Sequence, residues 1–138
     1  MKILREKPPI YDNLIKAGLR FNPETTIFTY GDTIYNPTKV EELPDNLIAH
    51  EETHSKQQLN TEGGPDAWWE RYIGDQYFRI DQEAEAYGRQ YEFICRTMKD
   101  RNRRCKVLWD LAFILASPTY GSVIDTSDAR RMIEKRSK

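Results

Sequence analysis

Leu47-Ile48-Ala49-His50-Glu51-Glu52-Thr53-His54-Ser55-Lys56-Gln57-Gln58 is the stretch on which the reading of this chain turns. It follows Pro44-Asp45 and ends before Asn60-Thr61-Glu62-Gly63-Gly64-Pro65, which predicts a helix over about 46–59 with Asp45 as its N-cap. Side chains four apart share one face of a helix, so the imidazoles of His50 and His54 can meet a single ion. Zinc accepts neutral imidazole nitrogens at about 2.0–2.1 Å and keeps one position open where it does chemistry. Glu51 is turned about 100° from His50. That offset takes it off the ion and sets it near an ion-bound water, where a general base is useful. The chain has two histidines in all, and both fall in this spacing with a glutamate in the base's slot. Two histidines pairing with carboxylates on an ordinary helix face would leave that coincidence unexplained.

A zinc site of this kind needs a third protein ligand, and no third histidine exists. The downstream acids in reach are Asp66, Glu70, Asp75, Asp81, Glu83 and Glu85. A long helix is predicted from Gln76 to about Lys99, because Tyr77, Ile80, Ala84, Tyr87, Tyr91, Ile94 and Met98 recur in steps of three and four. At about 100° per residue, Glu83 lies beside Ile80 and Tyr87 at the edge of that stripe, Glu85 points to water, and Asp81 lies on the opposite flank. A buried carboxylate is costly unless a cation partners it. One zinc per chain is therefore expected on His50, His54 and Glu83, with Glu51 as the base.

Outward from this helix, Thr25–Tyr30 and Thr33–Tyr35 read as two β-rich runs around Gly31-Asp32, a hairpin closed off by Asn36-Pro37. A short helix is expected over 11–19 in an N-terminal extension (1–22). An aromatic helix opens at Asp66 and carries Trp68, Trp69 and Tyr72. Being adjacent, the two tryptophans are expected to divide between core and rim. A helix over about 104–116 ends before Ser117-Pro118, and a last one from Ser127 runs into a basic tail (127–138). The fold class is α+β, mostly helical. It has a small hairpin sheet packed on the helix of His50 and on the long glutamate-bearing helix, and residues 1–138 form one domain.

The 138 residues carry 21 basic and 22 acidic side chains, so no whole-molecule attraction to nucleic acid or anionic lipid is expected. The basic runs Arg101–Lys106 and Arg130–Lys138 read as helix-end and tail charges. No apolar stretch approaches a membrane span, and the N-terminus lacks a signal-peptide core. A cytoplasmic protein is expected. Cys95 and Cys105 fit no metal or disulfide spacing and are expected as free, partly buried thiols.

His50-Glu51-x-x-His54 followed by Glu83-Ala84-Glu85-Ala86-Tyr87 resembles the gluzincin metallopeptidases, whose third ligand is a helical glutamate. In several of those families an aspartate stands where Tyr87 stands here. Phe28–Tyr35 before Leu47–Glu51, with Gln57-Gln58 after the second histidine, is similar to the minimal metallopeptidase-like domains of phages and contractile injection systems. The likeness spans roughly residues 25–95. It implies metal-assisted hydrolysis of an amide bond in a peptide or protein substrate, with Glu51 as general base, and a phage-like setting. Tyr72, Tyr77, Tyr87 and Arg79 are the candidates for stabilising the oxyanion, and a strand of the hairpin could pair with an extended substrate. The competing reading is a zinc-binding accessory or interaction module that hydrolyses nothing. A metal-free helical adaptor would leave a buried Glu83 without a partner.

Overall fold

Strands β2 (Phe28–Tyr30) and β3 (Thr33–Tyr35) pair antiparallel across the two-residue turn Gly31-Asp32. Within that turn only Gly31 has positive φ, at 65°, which is the II′ pattern whose twist suits a tight hairpin. The computed structural model describes residues 1–138 and adds a strand that the sequence pattern does not announce. That strand, β1 (Lys2–Leu4), runs parallel to β3, so the sheet order is β1-β3-β2. Three residues are too few for an alternation to show; the pairing exists because β3 offers an open edge.

Six helices complete an α+β, mostly helical fold: α1 (Tyr11–Lys16), α2 (Asp45–Leu59), α3 (Gly64–Gly74), α4 (Gln76–Thr97), α5 (Arg101–Leu115) and α6 (Thr126–Arg136). Their starts are chemically marked. Asp75 accepts from the backbone N–H of Tyr77 and Phe78, Asp100 from those of Asn102 and Arg103, and Asp125 from that of Asp128, each satisfying first-turn donors. Asp45 differs from expectation. It is the first residue of α2 and makes no capping bond. Pro65 sits in the first turn of α3, which pulls the start of that helix back from Asp66 to Gly64.

Two apolar clusters form. Ile80, Ala84, Tyr87 and Ile94 of α4 pack with Leu108, Leu111, Ala112 and Leu115 of α5 and Ala129 and Ile133 of α6. Around the sheet, Ile10 and Leu14 meet Phe28, Trp68, Trp69 and Tyr72. Leu14 is fully buried here, so the N-terminal segment is part of the packing. Both tryptophans are buried, Trp68 at 0% and Trp69 at 7% exposure. Neighbouring residues of a helix can do this when the helix is wedged between two partners. Trp68 faces α4, where its indole N–H donates to Gln82 (2.7 Å), and Trp69 faces β2, where it donates to the carbonyl of Thr29 (3.0 Å). Tyr77 departs from the stripe and is 72% exposed, while Phe78 and Arg79 of the same turn face the packing. Cys95 and Cys105 are free and both exposed, not partly buried. No helix is long and apolar enough to cross a membrane.

Candidate functional site

α2 buries the wrong kind of side chain for a core helix. Its buried residues are His50, Glu51, Thr53, His54, Ser55 and Gln58, all polar. Each such group needs a partner, and each has one. Ser55 donates to the carbonyl of Gly31 (2.7 Å) and Thr53 to that of Ala49 (2.9 Å). Gln58 bridges the carbonyl of Thr29 (2.8 Å) and the N–H of Gly31 (2.7 Å). The Ser55 and Gln58 bonds rivet α2 to the hairpin and fix its rotation, which aims His50, Glu51 and His54 into the interior.

There they meet α4. Nε2 of His50 and Nε2 of His54 lie 3.1 Å apart, and Oε1 of Glu83 stands 3.2 Å from the first and 3.1 Å from the second. All three side chains are nearly sealed from solvent. His50, Glu51 and His54 also offer donor atoms within 4.8 Å of one another, but the tight triangle is His50, His54 and Glu83.

The outer ends of the rings fix what the inner ends can do. Nδ1 of His54 is 2.9 Å from Oε1 of Gln57, whose amide nitrogen donates to the carbonyl of Gln82 (3.0 Å) and to Glu85 (2.8 Å). Those two partners only accept, so the Gln57 oxygen must face His54, and Nδ1 of His54 carries the hydrogen. Nδ1 of His50 likewise meets Oε1 of Gln90 at 3.0 Å, with the Gln90 amide donating to Asn46 (2.9 Å). Both Nε2 atoms are thereby turned inward as acceptors beside a carboxylate oxygen, and three acceptors in contact call for a cation. One proton supplies that charge to the His54–Glu83 pair. Burial works against the imidazolium of His54, but Glu83 outweighs it and pushes the pKa up to about 9. Burial likewise works against the Glu83 carboxylate, yet His54 and His50 hold it far below the usual range. A divalent cation would satisfy all three acceptors at once.

Glu51 stands at the mouth of this triangle, 4% exposed. Burial pushes its carboxyl pKa up, and Glu83 adds to the shift against the opposing pull of both histidines. The Thr29 hydroxyl of β2 lies 3.2 Å from both Oε2 and the backbone carbonyl of Glu51 and can donate to either.

The remaining acids have other employment. Asp66 accepts from Tyr30 (2.5 Å), Asp75 caps α4, Asp81 pairs with Arg136, and Glu70 is exposed. Glu85 is half-buried and orients Gln57, not solvated as its helix phase suggests. Among the oxyanion candidates, Tyr77 lies away from the site. Arg79 is used up, donating to the carbonyls of Tyr72, Ile73 and Tyr120. Tyr72 donates to Oε2 of Glu83 at 2.6 Å; burial and Glu83 keep its hydroxyl protonated. Tyr87 packs its ring edge-on to His50 with centroids 4.4 Å apart, and its hydroxyl meets that of Tyr120 at 2.7 Å.

Sequence reasoning does not reach Gln57 and Gln90 as the groups that orient the histidines, or Tyr120, which lines both cavities at the site. The Gln57-Gln58 pair carries a signal in its spacing: Gln57 is one turn beyond His54 on the same face. Tyr120 sits in a 3₁₀ turn (Pro118–Tyr120) and has no local signature. No family model, no curated protein and no solved structure matches the chain.

Proposed function

We propose that this chain is a zinc-dependent hydrolase, a peptidase of the gluzincin type, with the metal on His50, His54 and Glu83 and with Glu51 as the general base. One observation carries the reading: three buried acceptors stand 3.1–3.2 Å apart with their outer hydrogen bonds already committed. Donors held tetrahedrally at about 2.0–2.1 Å from zinc lie about 3.3 Å from one another, so the set fits with little movement. Two nitrogens and one carboxylate also leave a coordination position open, as catalytic zinc requires.

Zinc bound there would acidify a coordinated water and polarise a carbonyl. The chain's own part is then specific. Gln57 and Gln90 hold the two rings in the ligating tautomer, a role commonly given to carboxylates. Tyr72 ties down the second oxygen of Glu83, so that Oε1 alone faces the histidines. Glu51 takes the proton of the attacking water and delivers it to the leaving amine. Its raised pKa suits both halves of that transfer. An amide substrate is inferred from the likeness of His50-Glu51-x-x-His54 and Glu83 to the gluzincin peptidases. Two exposed free thiols suit a reducing compartment, and we place the protein in the cytoplasm.

Metal analysis of purified protein, paired with a Glu51→Gln variant, tests the proposal. About one zinc per chain is expected in both, with hydrolysis of a peptide library lowered about 10²–10⁴-fold in the variant. Zinc in both and cleavage in neither identifies an accessory module; negligible zinc in both refutes the metal site.

A further inference from the structure

Arg96, Lys99, Arg101, Arg103, Arg104 and Lys106 crowd one end of the helical half, where α4 turns into α5, and Asp100 is the one acid among them. Arg96, in the last turn of α4, suits the negative end of that helix. The arginines that follow are misplaced as helix-end charges. Arg101, Arg103 and Arg104 occupy the first turn of α5, which contains no acid, and the positive end of the helix dipole repels them. Little within the chain offsets this. Asp100 spends its carboxylate on the backbone N–H groups of Asn102 and Arg103. Arg104 donates to the carbonyls of Met98 and Lys99 (2.9 and 3.0 Å). Lys99, Arg101 and Arg103 are exposed, and the ion pairs of this end, Arg96–Glu92 and Lys106–Asp110, leave them out.

From Arg101 the outward face of α5 runs on through Cys105, Trp109 and Phe113 in steps of four, about one helical turn apiece. Trp109 is 41% and Phe113 69% exposed, with Ile114 beside them at 42%. Arg130 of α6 stands over the Trp109 ring, 5.4 Å from its centre. The carboxylates on this side are already matched: Asp110 pairs with Lys106 (3.0 Å) and Glu134 with Arg130 (2.8 Å). Along the 15 residues of α5, about 22 Å, free cations thus pass into exposed aromatic rings.

Each half of this face matches one half of a nucleotide. Guanidinium groups with no internal partner take phosphate oxygens, two at a time, and aromatic rings one turn apart offer bases a surface to stack on. We infer that the outward face of α5 binds single-stranded nucleic acid, with Lys99, Arg101 and Arg103 on the phosphates and Trp109 and Phe113 against the bases. A duplex keeps its bases stacked inside, out of reach of the two rings. An anionic bilayer fits less well, because inserting Trp109 and Phe113 would also strip water from Asp110 between them and from Arg130 on the ring. With a net charge of −1 on the whole chain, the attraction is confined to this end of the molecule. Binding here needs no metal on His50, His54 and Glu83.

The test uses the full chain and a 15-nucleotide oligothymidylate at low salt. Trp68 and Trp69 are buried, so quenching of the tryptophan fluorescence by stacked bases reports Trp109. Expected is saturable quenching, with log affinity falling against log salt at a slope of about −2, as three phosphate contacts on a single strand give. Arg101→Glu combined with Arg103→Glu should weaken binding at least about tenfold. Its melting temperature should hold or rise, since acids suit a helix start. Phe113→Ala in the protein, and an abasic strand of the same length in place of the ligand, should each cost about fivefold or more. Absence of quenching, a double variant that binds as well as the parent chain, or equal affinity for the abasic strand overturns the inference. Tighter binding to phosphatidylserine vesicles than to the oligonucleotide, with a blue shift of Trp109, also overturns it and makes the face a membrane contact.

Discussion

Replacing Gln57 by leucine isolates the tautomer lock from the ligands themselves. Leucine nearly keeps the volume but removes the acceptor 2.9 Å from Nδ1 of His54 and the donor to Gln82 and Glu85. Gln57 and Glu85 are half-buried, so water can serve the two abandoned acceptors. His54 is 5% exposed, and its Nδ1–H would be left unpaired, a loss of about 1–3 kcal/mol of stability. The ring is then free to tilt or to place its proton on Nε2, where it blocks the metal. Loss of such an outer partner typically lowers metal affinity about 10–100-fold. Competition with a chromophoric chelator measures the affinity, and thermal unfolding of the zinc-free and zinc-loaded forms measures the stability. Gln90→Leu should behave alike through His50. A zinc affinity for Gln57→Leu within about threefold of the parent chain would refute the argument that these amides set the histidines.

Glu83→Gln should lose zinc far more readily than Glu85→Gln, because one removes a ligand and the other only trims the support of Gln57; a larger loss from Glu85→Gln in the same competition would reverse the ligand assignment. Zinc binding should release about one proton per ion below pH 9, because His54 holds a proton up to about 9; calorimetry in buffers of different ionisation heat counts it. In zinc-free protein, the raised His54 value means stability fully present below its ordinary 6.5 and lost as pH rises through about 9. The lowered Glu83 value means stability present above its ordinary 4.5 and lost as pH falls. The unfolding midpoint should therefore fall from pH 6.5 to pH 9 without zinc and stay flatter with it. Gly88→Ala should destabilise by about 1–2 kcal/mol despite better helix propensity. The added Cβ would stand 2.6 Å from Cβ and 2.9 Å from the backbone carbon of Arg136, where α4 and α6 touch; an unchanged melting temperature would show that α6 shifts freely.

His50, Glu51, His54 and Glu83 were legible in the sequence because helical spacing is local. Once residues 46–59 and 76–99 are helices, 3.6 residues per turn decides which side chains share a face. Local pattern likewise placed the long helix and, from the β-rich runs around Gly31-Asp32, the hairpin. It failed wherever a face is defined by a neighbour instead of by its own helix. Trp68 and Trp69 are both buried because α3 has partners on two sides, Tyr77 is exposed because the first turn of α4 packs through Phe78 and Arg79 instead, and Glu85 is tied to Gln57 across an interface. Strand β1 and the Tyr120 turn lie far in sequence from what they touch, and no periodicity encodes such contacts. Only the tertiary structure decided that two glutamines orient the histidines, that Arg79 is committed to carbonyls, and that the carbonyl of Thr29 on the outer edge of β2 is taken by Gln58 and Trp69. Each of these depends on which polar group on one element meets which on another, and local spacing holds no information about that pairing.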